Sequence, residues 1–261
     1  MDDRHAGGAA VTSFSRPRYF YGQLLDVHHF ESEQDYFKRK RWLLNRLVSG
    51  YGVVCGLDVQ LSDDHHGVVV TAGLALDKFG REIVVPCASK PIAIEPRPPG
   101  DSEPRKEPYE RKEPYKDEGA DDDWVRLVIC YQECRTDPEP VLTSTCDDGE
   151  RCSPGAVRET YQLRLEPGKA PEVPVESIIP NILKGNHVNY RALAEWVSQP
   201  CEEPRDPCIT LANIKRPYAG ADLASGDIDA SVRPIVYTLD LLWQLILSLT
   251  HETQNRRTGK H

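Results

Sequence analysis

Between residues 51 and 94, short apolar runs alternate with Gly, Asp and Pro so closely that neither a long helix nor a strand–helix–strand unit fits. "YGVVCGLDVQL" (51–61) and "GVVVTAGLALD" (67–77) are joined by "SDDHHG". "KFGRE" then turns the chain into "IVVP" (83–86), and "PIAI" (91–94) follows. Val, Ile and Leu at this spacing predict a meander of short antiparallel strands, and Gly80 suits a turn position with positive φ. Downstream, "WVRLVICYQE" (124–133) and "ETYQLRL" (159–165) alternate apolar and polar residues as half-buried strands do. "CITLANI" (208–214) reads as a further strand, and "HVNYRALAEWVSQ" (187–199) as a short helix. No Gly-rich strand-to-helix turn is present, which argues against a doubly wound nucleotide domain. The pattern predicts an α+β chain, a β-rich body of short antiparallel strands with an N-terminal amphipathic helix and a C-terminal apolar helix.

Two helices frame the body. In "HHFESEQDYFKRKRWLLNR" (28–46), Asp26 is placed to cap the N-terminus and Gly50 to end the helix. At 100° per residue, Phe30, Phe37, Leu44 and Val48 form one stripe, widened by Tyr36, Leu43 and Leu47. His28 falls on the opposite face, so His28 and His29 do not converge on one ion, and the His-Glu-x-x-His pattern of zinc proteases is absent. Trp42 lies off the stripe and is a candidate contact for a partner. The C-terminal helix, roughly 234–255, is apolar over most of its circumference. It must be deeply buried or pack on another chain, and Leu242, Trp243, Leu245 and Ile246 are its candidate interface residues.

The remaining organisation follows composition. Residues 1–15 read as a flexible arm and 16–95 as helix plus meander. Residues 96–123 read as a disordered Pro- and charge-rich insert containing a tandem hexapeptide, Arg-Lys-Glu-Pro-Tyr-x. A second β-rich part spans 124–236, and the C-terminal helix and tail span 237–261. The net charge of −9 argues against nucleic acid as a partner. No segment reaches the ~20 apolar residues of a membrane helix, and no secretion signal opens the chain. These features predict a cytoplasmic protein without membrane insertion.

Eight cysteines are many for such a protein. Cys55, Cys87 and Cys130 lie in apolar strand patterns and are expected to be small core residues. Cys146, Cys152, Cys201 and Cys208 lie in loops, where three states stay open: a four-thiolate structural zinc site, disulfides, or free thiols. His65 and His66 sit in a hairpin turn and are read as solvated. No nucleophile elbow, phosphate loop or framed carboxylate pair is present, so no catalytic residue or cofactor site is assigned and the chain is read as non-enzymatic.

Several segments together carry a family likeness. They are Tyr19-Phe20, Gly22-Gln23-Leu24-Leu25, Glu33-Gln34-x-Tyr36, Asn45-Arg46-Leu47, Gly50-x-Gly52-Val53-Val54-x-Gly56-Leu57, Gly73-Leu74-Ala75-Leu76-Asp77 and Gly80-Arg81-Glu82-Ile83. Over 16–86 the chain resembles a family of bacterial proteins encoded with phage-tail-like contractile injection systems. The likeness continues more weakly through "YQECRTDP", "RETYQLRL" and "DPCITLANI". The resemblance implies a structural or adaptor component, associated with a baseplate or fibre, that assembles into particles with other protein subunits. Two other readings compete with it: a zinc-binding protein or zinc-dependent enzyme built on the loop cysteines, and a binding module held by disulfides.

Overall fold

The computed structural model describes residues 13–97, 123–140, 152–172, 182–184, 187–201 and 204–258. Residues 1–12 of the expected arm (1–15), 98–122 of the expected insert (96–123) and Cys146 lie outside these residues.

The first helix, α1 (Val27–Leu44), opens on a capping box. Asp26 accepts the His28 backbone N–H, and the His29 ring nitrogen accepts the Asp26 N–H. Its last turn widens into π geometry over Asn45–Ser49, and the chain then enters the meander. Strands β1 (Gly52–Gly56), β2 (Val59–Leu61), β3 (Gly67–Val70), β4 (Gly73–Leu76), β5 (Glu82–Val85) and β6 (Ile92–Ala93) follow. The meander of short strands is as expected, and the runs 51–61 and 67–77 are each divided at one level. Leu57 takes a positive φ of 55° between β1 and β2, and the facing strand breaks between β3 and β4. The two halves join different sheets, ordered β1-β4-β5 and β2-β3-β6. The kink exposes backbone acceptors, and the Arg233 guanidinium ties it down by donating to the carbonyls of Leu57 and Leu211.

After residue 123 come β7 (Trp124–Pro140) and β8 (Cys152–Pro167), then β9 (Leu183–Lys184), β10 (His187–Val188), α2 (Tyr190–Val197), β11 (Ile209–Lys215), β12 (Ile228–Asp229) and α3 (Leu239–Thr258). Among the described residues β9 and β10 pair with each other as a two-stranded sheet, and a four-stranded sheet runs β12-β11-β7-β8. The β7–β8 pairing is far longer than the alternation predicted, with register continuing from Val125↔Pro167 to Pro140↔Cys152. Its proximal half is buried through Leu127, Val128, Ile129 and Cys130, whereas side chains beyond Gln132 are mostly exposed.

One core joins the sheets. Leu57, Val68, Val70 and Ile83 from the meander pack with Leu127, Ile129, Ile209, Leu211 and Ile214 from the larger sheet. Buried Asn213 clamps the segment after β8, accepting from the Ala170 N–H at 2.8 Å and donating to its carbonyl.

The two ends of the insert meet. Arg97, buried beside Tyr218, reaches Asp123 at 2.7 Å and donates to the Arg216 carbonyl. Arg216 in turn donates to the carbonyls of Glu95 and Pro96, and its N–H bonds to the Asp123 carbonyl. The described residues on the two sides of 98–122, Arg97 and Asp123, therefore stand side by side. Replacing 98–122 by a short Gly-Ser turn should leave the unfolding free energy in urea titration within about 1 kcal/mol, because the neighbouring ends already meet and loop length enters only logarithmically.

Gly80 supports the helix seat. It has φ +86°, and a Cβ there would stand 2.0 Å from the Trp42 carbonyl oxygen. Gly220 has φ +83° with open space around it. Gly220→Ala should cost about 1 kcal/mol. Gly80→Ala should cost at least about 2 kcal/mol more in urea unfolding, because the helix must shift as well.

Candidate interaction surface

The turn between β4 and β5 holds α1. Asp77 is fully buried and accepts from the N–H groups of Phe79 and Arg81 and from the Arg81 guanidinium at 2.6 Å. Arg81 lies over the rings of Tyr131 and Phe79. Asn45 donates to the Gly80 carbonyl and to Glu82, Arg41 pairs with Glu82 at 2.8 Å, and Lys38 reaches Glu133.

Trp42 completes the seat. Its ring is half-buried and meets Tyr131 edge-on at 6.3 Å between centroids. The sequence reading offered Trp42 as an outward contact, but the structure turns it to the body. The reason is geometric. The helix docks through Lys38, Arg41, Trp42 and Asn45, so the predicted apolar stripe points away. Phe37 is 63% exposed, and Phe30, Leu44 and Val48 are exposed with it. No residue of α1 is buried. Tyr19, Phe20, Leu24 and Leu25 just before the helix are also exposed.

The C-terminal helix resolves in the same direction. Of the two outcomes expected for it, burial within the chain does not occur. Leu242, Trp243, Leu245 and Ile246 are all exposed, with Trp243 at 55%, and Leu239 and Leu249 extend the apolar surface. The segment that leads into this helix is held against β1. The 234–236 segment brackets β1, with Val53 donating to the Pro234 carbonyl and accepting from the Val236 N–H. Tyr51, Ile235 and Tyr237 are exposed beside that join. No helix among the described residues is long and apolar enough to cross a membrane.

The loop cysteines do not assemble as a four-thiolate group. Cys208 is joined to Cys130, its neighbour across β11 and β7, with Cα atoms 4.5 Å apart, and it is buried. A sulfur held in that bond is not a zinc ligand, which corrects the expectation for Cys208. Cys152 and Cys201 are exposed free thiols, and Cys146 lies outside the described residues. Cys55 and Cys87 are exposed rather than core residues, because both stand on outward positions. Among the described residues no three His, Cys, Asp or Glu side chains gather closely enough to hold a metal. His65 and His66 stay at the hairpin tip, where their carbonyls accept from Leu223 and Ile94. His28 and His29 flank a shallow hollow with Arg16 and Ser32.

Sequence reasoning missed the Cys130–Cys208 pairing and the Arg97–Asp123 neck, because both depend on strand order. The Asp77-x-x-Gly80 turn carried a local signal in its glycine.

No family model matches the chain, and no curated protein matches it. A solved structure entitled "Crystal structure of TssK" aligns with 83% of this chain and 41% of its own length, at 12% identity and a TM-score of 0.38. The chain thus spans less than half of that protein, and the TM-score is too low to establish a shared fold.

Burial raises the pKa of the Tyr131 phenol, and its hydrogen bond to Glu133 and the charges of Glu159 and Glu133 raise it further. The folded state therefore keeps this phenol neutral. Its contribution is fully present below the unfolded tyrosine pKa of about 10 and is lost as pH rises above it. Tyr131→Phe should show a shallower loss of unfolding free energy between about pH 10 and 11 than the parent chain. Equal slopes in denaturant titrations would contradict this.

Proposed function

We propose that the chain is a non-enzymatic structural or adaptor component of a phage-tail-like contractile injection particle, associated with its baseplate or a fibre attachment. The observation that carries this reading is the apolar helical surface left uncovered by the chain's own fold. Single exposed apolar residues are ordinary, but a helix exposing Leu239, Leu242, Trp243, Leu245, Ile246 and Leu249 together is a surface made for a protein partner. The outward stripe of α1 is a second surface of the same kind. Both fit a subunit that gains its stability from neighbours. The sequence resemblance over 16–86 names the assembly, and it covers α1 and the turn that seats it.

On this reading Leu242, Trp243, Leu245 and Ile246 are interface residues, whereas Trp42 acts indirectly by setting the direction of α1. The partners are other protein subunits, reached without a cofactor. The Cys130–Cys208 bond favours a second reading, a binding module held by a disulfide. Mass spectrometry of the alkylated chain as isolated from its source separates the two, since that module needs the bond intact.

Copurification with contractile particles tests the first reading. The parent chain should sediment with them, and the double variant Leu242→Asp, Ile246→Asp should be lost from the particle fraction by at least about tenfold while keeping its circular dichroism. A chain that stays monomeric and never cosediments would overturn it.

A further inference from the structure

The side chain of Arg164, on β8, is directed at a bond that gains little from it. Its terminal nitrogen lies 2.9 Å from Sγ of Cys130 and 3.0 Å from Sγ of Cys208. A disulfide is neutral and its sulfurs are weak acceptors, so a guanidinium there is poorly rewarded. The species that would gain is the thiolate, which a neighbouring cation stabilises. Cys130 and Cys208 are 7% and 5% exposed, whereas the side chain of Arg164, which touches both sulfurs, is 44% exposed.

We propose that Cys130 and Cys208 form a reversible thiol–disulfide site, reduced by small thiols, in which Arg164 is the positioning residue that holds the reduced pair as thiolate. The exchange balances as follows. One thiolate of the reductant attacks one sulfur of the pair. The S–S bond breaks, and its electron pair leaves on the other sulfur, which becomes a thiolate beside Arg164. A second reductant thiolate attacks the reductant sulfur of the mixed disulfide and expels the remaining cysteine as thiolate. The chain gains two electrons, and the reductant departs as its own disulfide.

The surrounding charges are few. Arg164 stands 3.7 Å from Glu166, which is itself paired with Arg126 at 2.9 Å. Asp206 accepts the Cys208 backbone N–H at 3.0 Å, and Lys78 lies 3.9 Å from that carboxylate. Asp206 opposes a thiolate and Lys78 offsets it, so Arg164 is the one cation in contact with both sulfurs among the described residues. The site also adjoins the α1 seat, because the Pro207 carbonyl accepts the Lys78 N–H at the start of the Asp77–Arg81 turn.

The test is the pH profile of alkylation after reduction with dithiothreitol, read peptide by peptide with iodoacetamide. Exposed Cys55 serves as the internal reference. In the parent chain the Cys130 and Cys208 profile should lie at lower pH than that of Cys55. Arg164→Gln should move it up by at least about one pH unit, a tenfold loss of thiolate at neutral pH, and Arg164→Lys should restore most of the shift. A role in packing alone would not move the profile. A parent profile at or above that of Cys55 would overturn the proposal without any variant. So would a pair that stays oxidised in millimolar dithiothreitol while the chain is folded, or a profile that Arg164→Gln leaves in place.

Discussion

A buried carboxylate organises this molecule. Asp77 stands with no solvent access and spends its oxygens on two backbone N–H groups and the Arg81 guanidinium. A charge so placed is tolerable only when every lone pair is answered. Satisfying it fixes the Asp77–Arg81 turn, which brings Gly80 against the Trp42 carbonyl and lays Arg81 across Tyr131. The helix α1 is thereby held through its polar and aromatic face. From that one arrangement follow the outward stripe of α1 and the half-buried position of Trp42.

The body beneath it is one core reached by an irregular route. The break at Leu57 moves the meander from one three-stranded sheet to another. The larger sheet closes the same core with Leu127, Ile129, Ile209 and Leu211. Tight closure of the insert at Arg97 and Asp123 lets a long charged segment leave without disturbing that packing. Similarly, β7 and β8 run on past the core as a two-stranded ribbon whose distal side chains face solvent.

Local chemistry was well written in the chain. The alternation of 124–133 with buried Leu127 and Ile129, the Asp26 cap and the positive φ of Gly80 all follow from neighbouring residues. So does the α+β composition of a β-rich body between two helices. The candidate surface was half legible. Leu242, Trp243, Leu245 and Ile246 were marked by a helix apolar over most of its circumference, and they stand exposed. Trp42 was misplaced, because a helical wheel shows which residues share a face and not which face another part of the chain will meet. The stripe of Phe30, Phe37, Leu44 and Val48 is real, yet it covers nothing in this chain.

The cysteines show the same division. Cys146, Cys152, Cys201 and Cys208 were read together, as a zinc site, disulfides or free thiols, and Cys130 as a core residue, whereas Cys208 joins Cys130 at a separation of 78 residues. The sequence by itself determined the elements, their caps and turns, and the amphipathic helices, because these depend on residues a few positions apart. Only the tertiary structure decided which helix face docks, which cysteines meet and where the insert closes. Those outcomes depend on strand order and on a buried charge being satisfied, and both are properties of the packed chain.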